Sequence, residues 1–200
     1  MNRAPELFKR FEFFAGRYAS RMAEAEQRKD EYIKTDLSPT ASIVRHPASE
    51  LRREAEHYAV STIEGFFSWT EHVFILISIL LGACTTGEEV RLLAKADWET
   101  KFKAALDINE PVTKRFYDAL IHVRRQVRNF VAHGSFGKDG EAFAFHSSAG
   151  AVPMRMVDER SGPHFQFGAG AGYADETAIE MLHRFLEHLW SGSRAAAHVY

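Results

Sequence analysis

The sequence predicts an all-α domain, a bundle of about five helices with one small β-hairpin insertion in its last third. Two observations lead there. Apolar residues recur at three- and four-residue intervals through most of the 200 residues, which is the period of a helix with one buried face. Only residues 134–172 change character, becoming glycine-rich with alternating apolar and polar positions. A composition of 46% hydrophobic and 26% charged residues is that of a globular domain with a substantial core.

Residues 4–34 repeat Leu7, Phe11, Phe14, Tyr18, Met22 and Ala25 among many charges, the pattern of a long amphipathic helix. Leu37 to Pro47 holds two prolines and reads as a loop. From Ala48 to Ala83 no proline intervenes, and the chain passes from charged to almost wholly apolar, so one long helix enters the core. Gly82 and Thr85-Thr86-Gly87 mark its end. Within it, Val73 to Cys84 is apolar but only twelve residues long, short of the roughly 18–20 that cross a bilayer. A buried core or dimer helix is the expectation, with no membrane association. A shorter helix at about 97–107 has Asp97 as its N-cap.

The helix that matters most runs from 111 to 133. Pro111 suits its first turn and Gly134 its stop. Phe116, Leu120, Val123, Val127, Phe130 and Val131 fall on one side; Arg115, Asp118, His122, Arg125, Gln126, Asn129 and His133 form the other. Strands are expected at Ala142 to His146, Val152 to Val157 and His164 to Phe167, followed by a last helix from Asp175 to about Trp190 and a frayed tail. No repeat or boundary divides the chain. It reads as one domain: 1–47 an N-terminal helix and loop, 48–133 the core helices, 134–172 the β insertion, 173–200 the C-terminal helix and tail.

Charge and cysteine content narrow the function. The net charge of −2 is uninformative as a total, yet Lys114 to Arg128 holds five basic residues against one acidic residue, and local charge is what a nucleic acid meets. Cys84 is the only cysteine, which excludes an internal disulfide. With no signal-peptide pattern at the start, the expected location is the cytoplasm. Sixteen phenylalanines point to a packed helical core or a large apolar interface.

At the end of the motif helix stands Arg128-Asn129-Phe130-Val131-Ala132-His133-Gly134. A forked cation matched to phosphate oxygens, an amide and a group that titrates near neutrality lie within one and a half turns. That is a small kit for phosphodiester chemistry. An arginine and a histidine at a helix end also serve simply to meet its last carbonyls.

This stretch resembles the signature of the HEPN superfamily, Arg-x(4 to 6)-His with Asn, Asp or His often after the arginine. Arg128, Asn129 and His133 match it, and the likeness extends loosely over residues 50–190. The resemblance implies an all-helical fold and a homodimer whose two motifs face each other. It also implies a metal-independent endoribonuclease of a bacterial toxin or defence type, with RNA as substrate and an antitoxin or regulatory protein as a further partner. No cofactor and no metal are expected. The alternatives are a non-catalytic module of the same family, binding RNA, a nucleotide or a protein, and a purely structural helical dimer. In toxins paired with nucleotidyltransferase antitoxins a tyrosine stands two residues after the histidine. Here that residue is Ser135, so control by nucleotidylation is not expected.

Accessory positions are Glu71, His72, Arg125 and His146. A carboxylate at Glu71, just before the apolar run, needs a cation if it is buried, and Arg128 is one candidate; a solvated helix edge, continuing the polar line His57, Ser61, Glu64 and Ser68, is the plainer expectation. His183 and His188 miss zinc-protease spacing and read as a solvated face. Gly168 to Gly172 lacks the dinucleotide fingerprint and the P-loop lysine, and reads as a flexible connection.

Overall fold

In the computed structural model, residues 2–38, 40–133, 142–147, 150–159, 162–167 and 175–191 are described, with side chains placed for those up to 127 and for 175–191. The elements in order are α1 (Ala4–Gln27), β1 (Ile33–Ser38), β2 (Ala41–Arg45), α2 (Pro47–Leu80), α3 (Gly87–Lys95), α4 (Trp98–Ala105), α5 (Pro111–His133), β3 (Ala142–Ser147), β4 (Gly150–Glu159), β5 (Gly162–Phe167) and α6 (Asp175–Ser191). The protein is mostly helical, as expected.

The long helix α2 is the axis of the fold. Helix α1 lies antiparallel along it: Arg3 meets His72, Phe8 meets Trp69, Phe11 meets Phe66, and Arg21 meets Glu54. Gly65 faces α1, and a Cβ there would make ordinary contact with the Phe11 Cα at 3.4 Å. A larger side chain would push α1 away. The other side of α2 receives α4 and α6, where Phe66, Phe74, Phe102 and Phe116 surround the ring of Phe185 at 5.6–6.4 Å. The phenylalanine excess is therefore spent, among the described residues, largely on this core. Thr70, wholly buried, satisfies itself on the Phe66 and Phe67 carbonyls and accepts the Trp98 Nε1–H at 3.0 Å.

Helix α2 contains an 18-residue window apolar enough to cross a membrane by length and composition, longer than the uninterrupted apolar run. More than half of that window, 56%, is buried against the other helices. Burial of this kind is what a core helix shows.

Two elements differ from the sequence reading. The stretch expected to be the end of α1 and a loop holds the antiparallel hairpin β1–β2, with Ile33 opposite Arg45 and Thr35 opposite Ile43. Chain alternation in Ile33-Lys34-Thr35-Asp36-Leu37 is the signal, hidden by the neighbouring prolines. Helix α3 was also not expected. Its start is a capping box, Thr86 accepting from the Glu89 N–H while Glu89 accepts from the Thr86 N–H. Beyond α5, strands β3, β4 and β5 form a three-stranded antiparallel meander in that order, wider than a hairpin.

Candidate functional site on helix α5

Helix α5 is anchored at its start by a three-residue relay. The buried Thr113 hydroxyl donates to Glu110 Oε2 at 2.7 Å, and the His188 ring nitrogen Nε2 lies 2.9 Å from Thr113 Oγ1. With its one proton given to Glu110, the hydroxyl accepts, so the His188 Nε2–H donates. His188 also stacks on Phe116 at 5.2 Å. This ties the end of α6 to the first turn of α5. His183, five residues earlier, faces α1 instead, its ring 5.7 Å from Phe11. The two histidines therefore serve different neighbours, and among the described residues no group of three or more His, Cys, Asp or Glu comes together as a metal set.

Among the described side chains of α5 the buried ones are Thr113, Tyr117, Leu120, Val123 and Val127. On the flank toward α2 and α4, polar groups are paired. Tyr117 donates to Glu99 Oε2 at 3.0 Å, and Arg124 donates to Glu71 Oε1 at 2.9 Å with its guanidinium 5.7 Å from the ring centres of both Phe67 and Trp98. Glu71 Oε2 meets Lys101 Nζ at 3.2 Å. Lys101 has a side chain only 6% exposed, while that of Glu71 is 36% exposed, so the carboxylate bridges a buried ammonium and a half-exposed guanidinium.

Glu71 is thus not the plain solvated edge of the sequence reading. Among the described residues its cations are Lys101 and Arg124. Lys101 had a signal in the sequence, being three residues after Trp98 and next to Phe102 on a short apolar face.

His72 meets the start of α1. Its Nε2 accepts the Arg3 backbone N–H at 3.2 Å, and burial, with the charges of Arg3 and the N-terminus added, holds its pKa below the usual histidine value. Arg125 is exposed, as is His122 one turn before it. Arg115 is exposed too and makes one side-chain bond, to the Pro111 carbonyl at 3.4 Å.

The motif closes α5. Residues 128–133 are its last helical turns, and the side chains of Arg128, Asn129 and His133 lie outside the described residues, as do that of His146 on β3 and the whole of Ser135. Helical geometry still orders the positions. At about 100° per residue, positions 115, 119, 122, 126, 129 and 133 fall within about 40° of one line, whereas 128 stands about 140° from 133 and about 40° from 124. Over the described part of that line Arg115 and His122 are exposed, while Ala119 and Gln126 are partly buried.

Between this line and α6 lies a groove of about 490 Å³. Phe116, Ala119 and Met181 give it apolar walls; Arg115, Glu180 and Arg184 stand at its polar rim, the last two paired at 2.6 Å. No family model matches the chain, and neither the curated proteins nor the solved structures include one significantly similar to it.

Proposed function

We propose that the chain is a metal-independent endoribonuclease of the HEPN type, acting as a homodimer in the cytoplasm in a toxin or defence role. The observation that supports this best is the unbroken helix α5, which carries the exposed Arg115, His122 and Arg125 and continues to the positions of Arg128, Asn129 and His133. Glu71 has its two cations without recourse to the motif.

The chemistry follows from residue types. One histidine takes the proton of the ribose 2′-hydroxyl as its oxygen attacks phosphorus; a second gives a proton to the departing 5′-oxygen as the P–O5′ bond breaks. Products are a 2′,3′-cyclic phosphate and a 5′-hydroxyl. Arg128 stabilises charge on the phosphorane oxygens, and Asn129 holds the phosphate or fixes the imidazole tautomer. One helix offers one such histidine and sets position 128 well round from 133, so two copies meeting at the motif supply both proton-transfer groups. RNA is the substrate, and an antitoxin or regulatory protein is a further partner.

The test is incubation of the purified protein with total RNA in excess chelator. Cleavage with cyclic-phosphate ends is expected, from a protein that light scattering shows to be a dimer at micromolar concentration. Loss of activity in chelator with recovery on adding zinc or magnesium, or an active monomer, would overturn the mechanism.

A further inference from the structure

The hairpin β1–β2 takes no part in the helical core. Every residue of both strands is exposed, Ile33 at 52% and Ile43 at 44% among them, although a two-stranded ribbon is marginal in water without a third strand or a helix over its apolar face. Opposite residues share a face, so the ladder puts Ile33, Thr35, Ile43 and Arg45 on one side and Lys34, Asp36, Ser42 and Val44 on the other. The sheet consists of these two strands, so among the described residues the outer edge of β1 is a row of backbone donors and acceptors that no further strand pairs.

This edge is complementary to itself. Laid antiparallel beside a second copy with Thr35 opposite the partner's Thr35, the strand Ile33-Lys34-Thr35-Asp36-Leu37 sets Lys34 against the partner's Asp36, Asp36 against the partner's Lys34, and Ile33 against the partner's Leu37. The bulge after Asp36 bends the strand at that last pair, so the three central pairs carry the match. Neighbouring registers lose it. Sliding by two residues sets Lys34 on the partner's Lys34 or Asp36 on the partner's Asp36, like charges directly opposed, and sliding by one sets the apolar face of one copy beside the polar face of the other. Within the strand, Lys34 Nζ already lies 3.2 Å from Asp36 Oδ1, so two paired copies bring four charges together in alternation. Strand β2 has no such match, since about Ile43 its one charge, Arg45, falls opposite the partner's Ala41.

We infer that β1 pairs edge to edge with β1 of a second copy of this chain, antiparallel about Thr35, making one four-stranded sheet in the order β2-β1-β1-β2 across a two-fold axis. Ile33 and Ile43 of both copies then share one face of a continuous sheet. The contact uses neither α5 nor its motif and does not rest on the ribonuclease reading.

The experiment is oxidative cross-linking of the full chain at micromolar concentration, with wild type, whose one cysteine is the buried Cys84, as the blank. Thr35→Cys sets two thiols opposite each other, their Cβ atoms about 4.5–5.5 Å apart, and should give a covalent dimer whose disulfide joins the two substituted positions by peptide mass. Ile43→Cys stands roughly 14 Å from its mate, three strand spacings away, and should not. Adding Asp36→Lys or Lys34→Asp to Thr35→Cys makes both charged pairs repulsive and should slow cross-linking by about tenfold or more. Mixing those two charge variants restores opposite charges across the axis, so the rate should recover and the product should be the mixed dimer. Circular dichroism must show each variant folded. A Thr35→Cys chain that stays uncross-linked, cross-linking indifferent to the charges, a mixture no faster than its parts, or a covalent dimer from Ile43→Cys in place of Thr35→Cys would overturn the pairing, and would leave a dimer at the motif untouched.

Discussion

The two flanks of α5 use the same residue type for opposite ends. Toward α2 and α4, Arg124 is half-buried, lies over two aromatic rings and is bound to Glu71, which also holds the buried Lys101. Away from that flank, Arg115 and Arg125 stand in solvent, and no ion pair engages either among the described residues. Arg124 organises the fold, while Arg125, the next residue and about 100° round the helix, is exposed. Sequence position alone does not tell them apart. What decides is whether a carboxylate and an aromatic wall are within reach.

The sharpest way to break that comparison is to remove Glu71. Glu71→Ala leaves a nearly buried ammonium without its partner, and it should cost about 2 kcal/mol in urea unfolding, reduced from the fully buried case because Glu71 is itself a third exposed. Lys101→Met, which removes the buried charge and keeps the volume, should stay within about 1 kcal/mol of wild type. Equal losses in the two variants would mean that packing, and not the stranded charge, sets the cost.

On the open flank the signs reverse. Arg125→Ala should change stability by no more than about 0.5 kcal/mol, yet lower the slope of log affinity for RNA against log salt by about one unit, the signature of one lost phosphate contact. A large stability loss with an unaltered salt slope would place Arg125 with Arg124 as a structural residue.

A smaller effect belongs to α6, the other wall of the groove. Burial, with Glu56 adding repulsion, pushes the Asp175 carboxyl up from its usual 3.8 to about 6, and Tyr18, also nearby, is raised by its own burial and by Asp175 and Glu176. The folded state holds the Asp175 proton more tightly than the unfolded chain. Its contribution is therefore full below about pH 4 and is lost as pH rises toward 6. Asp175→Asn should melt higher than wild type at pH 7 and show a flatter melting profile between pH 4 and 6. A variant that melts lower at neutral pH would show that the carboxylate's interaction with the first turn of α6 outweighs its burial.

The sequence made the helices legible where period and punctuation agreed. Pro111 and Asp97 mark true starts, and the run after Ala48 is one helix because nothing in it breaks the pattern. Misreading came where two local signals competed. Prolines near residues 39 and 47 outweighed the two-residue alternation of β1, and the glycine of Thr85-Thr86-Gly87 outweighed the Thr86–Glu89 box that starts α3. The fate of Glu71 was hidden for a different reason. Its partners are 30 and 53 residues away, a long-range pairing that no local pattern encodes, so Arg128 stood in for Arg124, one turn along the same helix. The groove is likewise a product of α5 meeting α6. The motif itself is the reverse case, plain in the sequence and dependent on chemistry for its meaning.

That chemistry is tested most directly by comparing His133→Ala with Arg128→Ala for RNA cleavage and RNA affinity, in variants that keep their helical signal and their dimer. A histidine that moves protons in the transition state predicts a cleavage rate lower by about a hundredfold or more for His133→Ala with affinity nearly intact, and a loss of both for Arg128→Ala. A wild type that cleaves nothing, together with a His133→Ala variant that loses as much affinity as Arg128→Ala, would contradict the enzyme and leave a binding module in its place.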